Sequence, residues 1–260
     1  MSSARAITTA VTGAGSGIGA AIRERLEAAG DRVIGIDLKN AEISADLSNS
    51  EGRQQAIDAV LEACDGRLDR LVTCAGLPGS VKPRSLVTSV NYFGAVELLD
   101  GLLPALQQGH APAAIAIVSN SAQIAPLDEH PLVLALLDED EAEASRIADE
   151  HDVGPIAYMG SKHALGRALR RRVRRWGDAG VRLNGVAPGP IRTPLLEADM
   201  ADPNTRKAIE SIDIPIGRWG ETDDVARLVA FLLGPDAGWI HGGIYYIDGG
   251  NDAEIRPDRF

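Results

Sequence analysis

A tyrosine and a lysine lie four positions apart in the stretch YMGSK, from Tyr158 to Lys162. On a helix, side chains at this spacing share one face. A tyrosine hydroxyl with a pKa of about 10 is a poor base at neutral pH, but a nearby cation favours the phenolate and lowers that pKa. The pair could act as a general acid–base tyrosine tuned by a lysine, although the same spacing also arises by chance in packed helices.

A glycine-rich stretch near the start of the chain, TGAGSGIG at 12–19, has the form of a phosphate-binding loop. It follows a short apolar run and precedes a helical pattern. Gly13 can make the tight turn, Gly17 can let the backbone approach phosphates, and Gly19 can allow close packing of helix on strand. The first turn of the helix would offer free N–H groups to a pyrophosphate. The stretch therefore predicts a dinucleotide site.

The next apolar run, DRVIGID, ends in Asp37, about 20 residues beyond the last glycine as a dinucleotide fingerprint requires. A carboxylate there can accept hydrogen bonds from both ribose hydroxyls and would repel a 2′-phosphate. No arginine stands directly beside Asp37, although Lys39 comes two residues later. The alternative is that Asp37 only ends a strand. With the glycines upstream, the residue favours NAD(H) over NADP(H).

Short apolar runs alternate with helical patterns along the whole sequence. The candidate strands are AITTAV, DRVIGID, RLDRLVTCAG, AAIAIVSN, VRLNGVAPG and GGIYYIDGG. This order predicts parallel strands joined by crossover helices. We expect an α/β fold with a single domain over 1–260, a Rossmann-type doubly wound parallel sheet and helices on both faces.

Two segments of this domain have less regular patterns. The acidic stretch at 127–152 is an insertion between a strand end and the next helix, and it could be either a solvated surface segment or a flap over a substrate pocket. The segment at 194–216 is predicted to be a substrate lid. Its apolar residues would suit a greasy substrate or simply pack the lid: Pro194, Leu195, Leu196 and Met200.

Composition narrows the class of protein. The formal net charge of −11 argues against a nucleic-acid partner, and RRRVRR at 170–175 is interpreted as a solvated helix face. No run reaches the length expected of a membrane span, and the N-terminus lacks the apolar core of a signal peptide. Cys64 and Cys74 match no metal spacing and indicate a reducing compartment. We expect a cytoplasmic protein without a metal, a membrane or a nucleic-acid partner.

The glycine loop and the YxxxK pair together resemble the short-chain dehydrogenase/reductase family, whose marks are TGxxxGxG near the N-terminus and YxxxK past the middle. The resemblance covers nearly the whole chain. It implies that NAD is held by a set of residues that spans the chain: Thr12, Gly13, Ser16, Gly17, Ile18, Gly19, Asp37, Leu38, Asp46, Leu47, Cys74, Ala75, Gly76, Tyr158, Lys162, Pro188, Gly189, Ile191 and Thr193. Within this set, Cys74 replaces the asparagine that the family commonly carries, which removes a side-chain hydrogen bond.

The same resemblance implies four catalytic residues. Tyr158 exchanges the substrate proton, Lys162 tunes Tyr158 and binds the nicotinamide ribose, and Asn91 holds a water in the proton relay. The fourth is a serine that hydrogen-bonds the substrate oxygen. Ser119 is favoured for this role and Ser121 is the alternative, since the insertion lengthens the usual spacing to the tyrosine. His163 is interpreted as incidental.

The implied reaction is hydride transfer between NAD and a carbonyl or secondary alcohol carbon. Several stretches, including the insertion and the C-terminal YIDGGNDAEIRPDRF, resemble the branch of bacterial 3α-hydroxysteroid dehydrogenases/carbonyl reductases. A hydrophobic ketone or alcohol such as a steroid is therefore the expected substrate. The alternatives are a sugar, a small alcohol or a terpenoid alcohol, and, more remotely, a non-catalytic NAD(H)-binding regulator. The family also implies a homo-oligomer, either a dimer or a tetramer.

Overall fold

One parallel sheet runs through the computed structural model, which describes residues 6–201 and 203–259. Its strands are β1 (Thr8–Thr12), β2 (Arg32–Asp37), β3 (Ile43–Ser44), β4 (Arg70–Thr73), β5 (Ala113–Ile117), β6 (Arg182–Pro188) and β7 (Ile244–Ile247). Their order is β3-β2-β1-β4-β5-β6-β7, and each neighbouring pair is parallel. Strand order therefore switches between β1 and β4, as in a doubly wound sheet. The predicted fold class is confirmed.

Helices cover both faces of the sheet. They are α1 (Gly17–Ala28), α2 (Ser50–Ala63), α3 (Arg84–Thr88), α4 (Gly94–Leu106), α5 (Pro131–Leu137), α6 (Glu141–His151), α7 (Gly154–Asp178), α8 (Pro194–Asp199), α9 (Pro203–Glu210), α10 (Thr222–Leu233) and α11 (Asn251–Ile255). Helices α1 and α10 bury their apolar faces on one side of the sheet. Helices α2, α4 and α7 form the core on the other side. Apolar β-strands buried on both faces are what a parallel sheet requires.

Helices α3 and α4 are continuous through a π-helical turn at Ser89–Phe93. The joined stretch, Arg84–Leu106, is 23 residues long and apolar enough by composition to cross a membrane, contrary to the expectation from the sequence. However, 72% of its most apolar window lies buried inside the protein, which is typical of a core helix. A π-helical turn within an α-helix often marks a functional position, and this turn contains Asn91.

The acidic insertion is packed onto the main core, which neither of its two interpretations anticipated. Helix α5 lies on α7, and α6 lies on α3. Leu132, Leu136 and Leu137 are buried in the same cluster as the α7 core residues. A Cβ added to Gly160 of α7 would lie 3.4 Å from Leu132, so α5 covers that face of α7 closely. The insertion thus supports the helix that carries Tyr158.

Charged contacts fasten the insertion to its neighbours. Arg53 of α2 is fully buried, and its guanidinium contacts Glu97 of α4 at 2.7 Å and Glu141 of α6 at 2.5 Å. Within the basic run of α7, Arg172 pairs with Asp100 at 2.6 Å and with the insertion residue Glu139 at 2.8 Å. Some arginines of this run therefore form ion pairs with neighbouring helices and the insertion, in addition to the solvated face that the sequence predicted.

The predicted lid forms the two short helices α8 and α9. The chain leaves α9 through Ile214, which is buried, and Ile216, whose N–H donates to the carbonyl oxygen of Gly249 at 3.1 Å. A Cβ added to Gly249 would lie 2.6 Å from both isoleucine side chains. The turn that follows β7 therefore holds the end of the segment that is predicted to be a lid. Asp202 lies outside the described residues.

Candidate active site

The loops that carry the predicted site residues meet at the carboxyl edge of the sheet, next to the switch in strand order. Open α/β sheets bind their ligands at this point. Thr12 ends β1 and fixes the loop that follows β4, since its Oγ1 accepts hydrogen bonds of 3.0 Å from the backbone N–H groups of Cys74 and Ala75. These backbone bonds hold the loop in which cysteine replaces the family's asparagine.

The glycine loop has the backbone geometry that its residues suggested. Gly13 has a φ of +70° and Gly17 a φ of +55°, a region that side chains disfavour. A Cβ at Gly19 would lie 2.1 Å from the carbonyl oxygen of Gly13, so this glycine lets α1 pack on the loop itself. A Cβ at Gly17 would lie 3.6 Å from Thr193, which brings the segment after β6 beside the loop.

The first turn of α1 is suited to an anion. Ser16 is its N-cap, yet the Ser16 side chain makes no capping hydrogen bond, and the turn contains no acidic residue. Helices α2 and α6 differ, because Asn49 and Asp140 accept hydrogen bonds from their first-turn N–H groups. Uncapped N–H groups at the positive end of a helix dipole attract phosphate. This end of α1 can receive the pyrophosphate of a dinucleotide.

Asp37 lies at the end of β2, beside the glycine loop. Its Oδ2 accepts a 3.0 Å hydrogen bond from the N–H of Gly15, and its Oδ1 accepts one of 2.7 Å from the N–H of Leu38. A carboxylate has about four lone-pair sites, so Asp37 keeps acceptor capacity for ribose hydroxyls. The Leu38 side chain is 61% exposed.

Four more residues predicted to contact the cofactor lie around the same edge. Asp46 accepts a 2.9 Å hydrogen bond from the N–H of Ser48, and the hydroxyl of Ser48 together with this N–H holds the pKa of Asp46 below its usual value. Leu47 is buried beside it. Gly189 follows the last strand residue, Pro188, and packs so closely on Asp248 that an added Cβ would lie 2.6 Å from the Asp248 Cβ.

The segment after β6 continues from Gly189 towards helix α8. Ile191 is buried and pairs with Gly220 in an isolated bridge. Thr193 Oγ1 accepts a 3.2 Å hydrogen bond from the N–H of Leu196 and so caps α8. Ile18 of α1 is half-buried in the core cluster on the same side of the sheet as Ile191.

Lys162 is buried on α7 and reaches back to the sheet. Its Nζ donates a 2.8 Å hydrogen bond to the carbonyl oxygen of Ile117, the last residue of β5. Burial lowers the pKa of Lys162 to about 8, against an opposing contribution from Cys74. A Cβ at Gly76 would lie 3.7 Å from this Nζ and 3.3 Å from Asn91 Oδ1, so all three residues meet at one point.

Tyr158 lies one turn before Lys162 in the same helix and is half-buried. The loop after β4 forms a wall next to it, because a Cβ added to Gly79 would lie 3.4 Å from the Tyr158 Cβ. The carbonyl oxygen of Tyr158 accepts a 2.8 Å hydrogen bond from Ser161 Oγ. The tyrosine therefore stands at the junction of α7 with the loops of the carboxyl edge.

The side chain of Asn91 contacts the loop that follows β4. Its Oδ1 accepts a 2.7 Å hydrogen bond from the N–H of Leu77, and its Nδ2 donates to the Leu77 carbonyl oxygen at 3.0 Å. A longer contact of 3.4 Å joins Nδ2 to Ser161 Oγ. The amide thus fixes the loop after β4, and its role towards a water stays a prediction.

The two candidate serines lie together in the turn after β5. Ser119 is buried and caps a short 3₁₀ turn at Asn120–Gln123, where its Oγ accepts a 3.2 Å hydrogen bond from the Ser121 N–H. The two Oγ atoms are 2.9 Å apart, and either can donate. When Ser121 donates, the Ser119 hydroxyl proton remains available for a substrate oxygen, so the pair can work as one unit.

Two family models match the chain. One, described as "short chain dehydrogenase", matches residues 8–128, and another, described as "Enoyl-(Acyl carrier protein) reductase", matches residues 143–252. The chain is 48% identical to the 3-alpha-hydroxysteroid dehydrogenase/carbonyl reductase of Comamonas testosteroni, covering 96% of this chain and 98% of that protein. It is 32% identical to a coniferyl-alcohol dehydrogenase from a Pseudomonas strain, covering 92% and 94%.

A solved structure agrees with these sequence matches. The 3-alpha-hydroxysteroid dehydrogenase from Pseudomonas sp. B-0831, complexed with NADH, superposes with a TM-score of 0.96 at 47% identity and covers 97% of this chain and 100% of that one. The chain belongs to the short-chain dehydrogenase/reductase family. It is an oxidoreductase of that family, as the glycine loop and the YxxxK pair predicted.

The family motifs do not reveal several residues that shape this site. Gly15 has no role in the motif, yet a Cβ there would lie 2.3 Å from the Lys39 carbonyl oxygen and 3.1 Å from the Asp37 carboxylate. Asn120, between the two serines, donates a 2.9 Å hydrogen bond to Asn251 Oδ1. Asn251 Nδ2 in turn donates one of 2.7 Å to the carbonyl oxygen of Asp213. These contacts join distant segments, so no local pattern could have indicated them.

Proposed function

We propose that the protein is an NAD(H)-dependent oxidoreductase that interconverts a secondary alcohol and a ketone, acting as a 3α-hydroxysteroid dehydrogenase/carbonyl reductase. The observation that carries this proposal is the 48% identity to the Comamonas testosteroni enzyme across nearly the full length of both chains. The site supports it, because Tyr158, Lys162 and the serine turn all lie at the carboxyl edge of the sheet beside the glycine loop.

The residues of the chain fit NAD. The uncapped first turn of α1 and the positive φ values of Gly13 and Gly17 provide the cradle for a pyrophosphate. Asp37 can accept hydrogen bonds from the ribose hydroxyls, and its charge opposes a 2′-phosphate. The structural relative with TM-score 0.96 holds NADH. Bound NAD would supply the hydride acceptor or donor of the reaction.

Protein side chains then handle the proton and the substrate oxygen. In ketone reduction, Tyr158 donates its hydroxyl proton to the oxygen, and in alcohol oxidation it removes that proton. Ser119, supported by Ser121, donates a hydrogen bond to the same oxygen and stabilises the charge that develops there. Lys162 is mostly protonated at neutral pH, because its pKa of about 8 lies above that pH. Its charge favours the phenolate of Tyr158.

The proposed substrate is hydrophobic, such as a steroid. Exposed apolar side chains follow the serine turn and end the lid, at Ile124 (52% exposed) and Ile216 (65% exposed). Leu195 and Leu196 of α8, which lie between these two positions in the sequence, are half-buried. Apolar side chains with a few polar catalytic groups among them are typical of a pocket for an apolar ligand. A small aromatic alcohol is the second candidate, which the 32% identical coniferyl-alcohol dehydrogenase favours.

The test is steady-state turnover with purified protein. A 3-ketosteroid and a small aromatic ketone are each assayed with NADH and with NADPH, and coniferyl alcohol is assayed with NAD⁺. The proposal predicts turnover of the steroid with NADH and much slower turnover with NADPH. Turnover of coniferyl alcohol without the steroid would establish the second candidate instead. No turnover of any of the three, with NADH binding intact, would reject both.

We also propose that the protein is a homo-oligomer that uses the β7 edge of the sheet. An unpaired edge strand with exposed apolar side chains favours pairing with another chain. Trp239, just before β7, is 100% exposed, and Tyr246 within β7 is 37% exposed. Light scattering should show the molar mass of a dimer or tetramer, and Trp239→Glu should lower that molar mass. A monomeric wild-type protein would contradict this proposal.

We further propose a cytoplasmic location, away from membranes and nucleic acids. Cys64 and Cys74 are both free thiols, as in a reducing compartment. The net charge of −11 opposes binding to phosphate backbones and anionic lipids. Cell fractionation should place the protein in the cytosolic fraction, and recovery in the membrane fraction would contradict this location.

A further inference from the structure

Two adjacent residues of α7 hold the chain on either side of Ser119. Lys162 Nζ donates to the carbonyl oxygen of Ile117, two residues before the serine, at 2.8 Å. His163 Nδ1 lies 2.7 Å from the carbonyl oxygen of Ala122, three residues after it. Both side chains are at least 95% buried. The segment from β5 through the serine turn is therefore attached to α7 at both ends.

The direction of the histidine contact follows from its partner. A carbonyl oxygen only accepts hydrogen bonds, so Nδ1 of His163 carries the proton. The N–H of Ala122 in turn donates to the carbonyl oxygen of Ser119 at 3.2 Å. Ser119, Ala122 and His163 thus form a chain of hydrogen bonds from the serine to α7. His163 is not incidental to the site, in contrast to the interpretation from the sequence.

The serine turn is held from two sides, since Asn120 donates a 2.9 Å hydrogen bond to Asn251 Oδ1 while His163 ties the turn to α7. It is a 3₁₀ turn of four residues, and such turns have weaker hydrogen-bond geometry than an α-helix. At its end, Gln123 and the following Ile124 are exposed. Since α7 also carries Tyr158, a contact that fixes the turn to α7 fixes the serine hydroxyl relative to the tyrosine hydroxyl. A displacement of about 1 Å in such a pair can slow a reaction about a hundredfold.

We propose that His163 is a positioning residue that sets the separation between the substrate-binding serine and Tyr158. This role rests on the proposed function of the site. His163 does not need to touch substrate or cofactor, because it acts through the Ala122 carbonyl oxygen. Its effect therefore falls on the chemical step, while the binding of NADH at the glycine loop and Asp37 is unchanged.

The contact does not depend on the charge of the imidazole. His163 Nε2 lies 3.4 Å from Asp128 Oδ1, a carboxylate that is 72% exposed, and this pair attracts only when Nε2 is protonated. Nε2 has no hydrogen-bond partner within the described ranges. Nδ1 keeps its proton in the neutral ring and in the charged ring alike. The positioning role therefore does not require a charged imidazole.

Three variants separate positioning from packing. His163→Asn retains an N–H donor at nearly the place of Nδ1, His163→Gln moves the donor about one bond further out, and His163→Leu keeps the volume without a donor. Hydride transfer is measured in a single turnover with NADH and whichever ketone the wild-type protein reduces. NADH affinity and thermal unfolding are measured for each variant.

The proposal predicts that His163→Leu and His163→Gln slow hydride transfer at least about tenfold, whereas His163→Asn stays within about threefold of wild type. NADH affinity should stay within about twofold throughout. If the leucine variant does not fold, the hydride-transfer rates of the asparagine and glutamine variants provide the test. Equal rates in those two variants, or a wild-type rate in the leucine variant, would overturn the role. A wild-type protein that reduces no ketone would instead reject the proposed function, and this role with it.

Discussion

The Oδ2 atom of Asp37 accepts a hydrogen bond from the backbone N–H of Gly15 at 3.0 Å, which binds the end of β2 to the glycine loop. The same carboxylate accepts from its neighbour Leu38, so its orientation is fixed before any ligand arrives. A preorganised carboxylate discriminates between ligands more strongly than a mobile one, because it cannot turn away from a like charge.

Cofactor preference should therefore depend on the charge of Asp37. The wild-type protein is expected to favour NADH over NADPH by about a hundredfold or more in kcat/KM, since juxtaposed like charges cost several kcal/mol. Asp37→Asn should reduce this preference at least about tenfold. Asp65→Asn, which removes the same charge from the loop before β4 at the opposite edge of the sheet, is the control. An unchanged preference in Asp37→Asn would contradict the account.

The paired hydroxyls of Ser119 and Ser121 predict unequal effects of two alanine substitutions. Ser119→Ala should lower kcat about a hundredfold or more, the usual effect of losing one donor to a developing oxyanion. Ser121→Ala should lower it by about tenfold or less, because this serine only orients its neighbour. Steady-state kinetics with a saturating ketone provides the measurement. The reverse order would assign the direct role to Ser121.

The insertion should depend on its buried ion pair. Glu141→Gln removes one of the two carboxylates that contact the fully buried Arg53 and leaves Glu97, and we expect a loss of about 1–3 kcal/mol in the free energy of unfolding. Glu143→Gln in the same helix breaks an exposed pair with Arg146 and serves as the matched control, with no measurable change. Denaturant unfolding measures the free energy of unfolding of both variants. Equal losses in the two would show that the contact of Glu141 with Arg53 stabilises the fold no more than an exposed pair does.

Lys162 should make stability depend on pH in the alkaline range. Its pKa is about 8 in the folded protein and 10.5 for an ordinary lysine. Below pH 8 both states carry the proton, so folding must bury a charge. Between these two values the unfolded chain still holds a proton that the folded protein has released, and stability therefore rises with pH.

Lys162→Met isolates this contribution, because all other titrating groups are common to both proteins. Without cofactor, the wild-type protein should gain stability relative to the variant between about pH 7 and about pH 10. Thermal unfolding at both pH values measures the difference. If the two proteins differ by the same amount at each pH, Lys162 is not buried as a charge.

The sequence could predict those parts of the fold that local patterns determine. Six of the apolar runs became strands of one parallel sheet, because buried parallel strands are continuous apolar segments. The two-residue strand at Ile43–Ser44 was missed, since so short a run has no periodicity to detect. The length of the apolar helix Arg84–Leu106 was also underestimated from the sequence. Its apolar length reflects burial in the core.

The site could be predicted where a sequence motif requires a particular backbone conformation. It could not be predicted where contacts between distant segments determine the position of a side chain. Positive φ values at Gly13 and Gly17 follow from the motif. The contacts of Asn91 with Leu77, and of His163 with Ala122, join segments that are 14 and 41 residues apart. Patterns at short range hold no information about such pairs. The packing of the insertion onto α7 escaped prediction for the same reason.

The most direct test of the account is NADH oxidation with a 3-ketosteroid by the wild-type protein and by Tyr158→Phe. Steroid turnover by the wild type is expected, and a fall of about a thousandfold or more in kcat in the variant, since general acid catalysis contributes up to about 10⁴-fold. NADH affinity should change far less than kcat, because most of the residues expected to hold NAD lie elsewhere in the chain. A variant that binds NADH and reduces the steroid at the wild-type rate would contradict the role of Tyr158 as the proton donor.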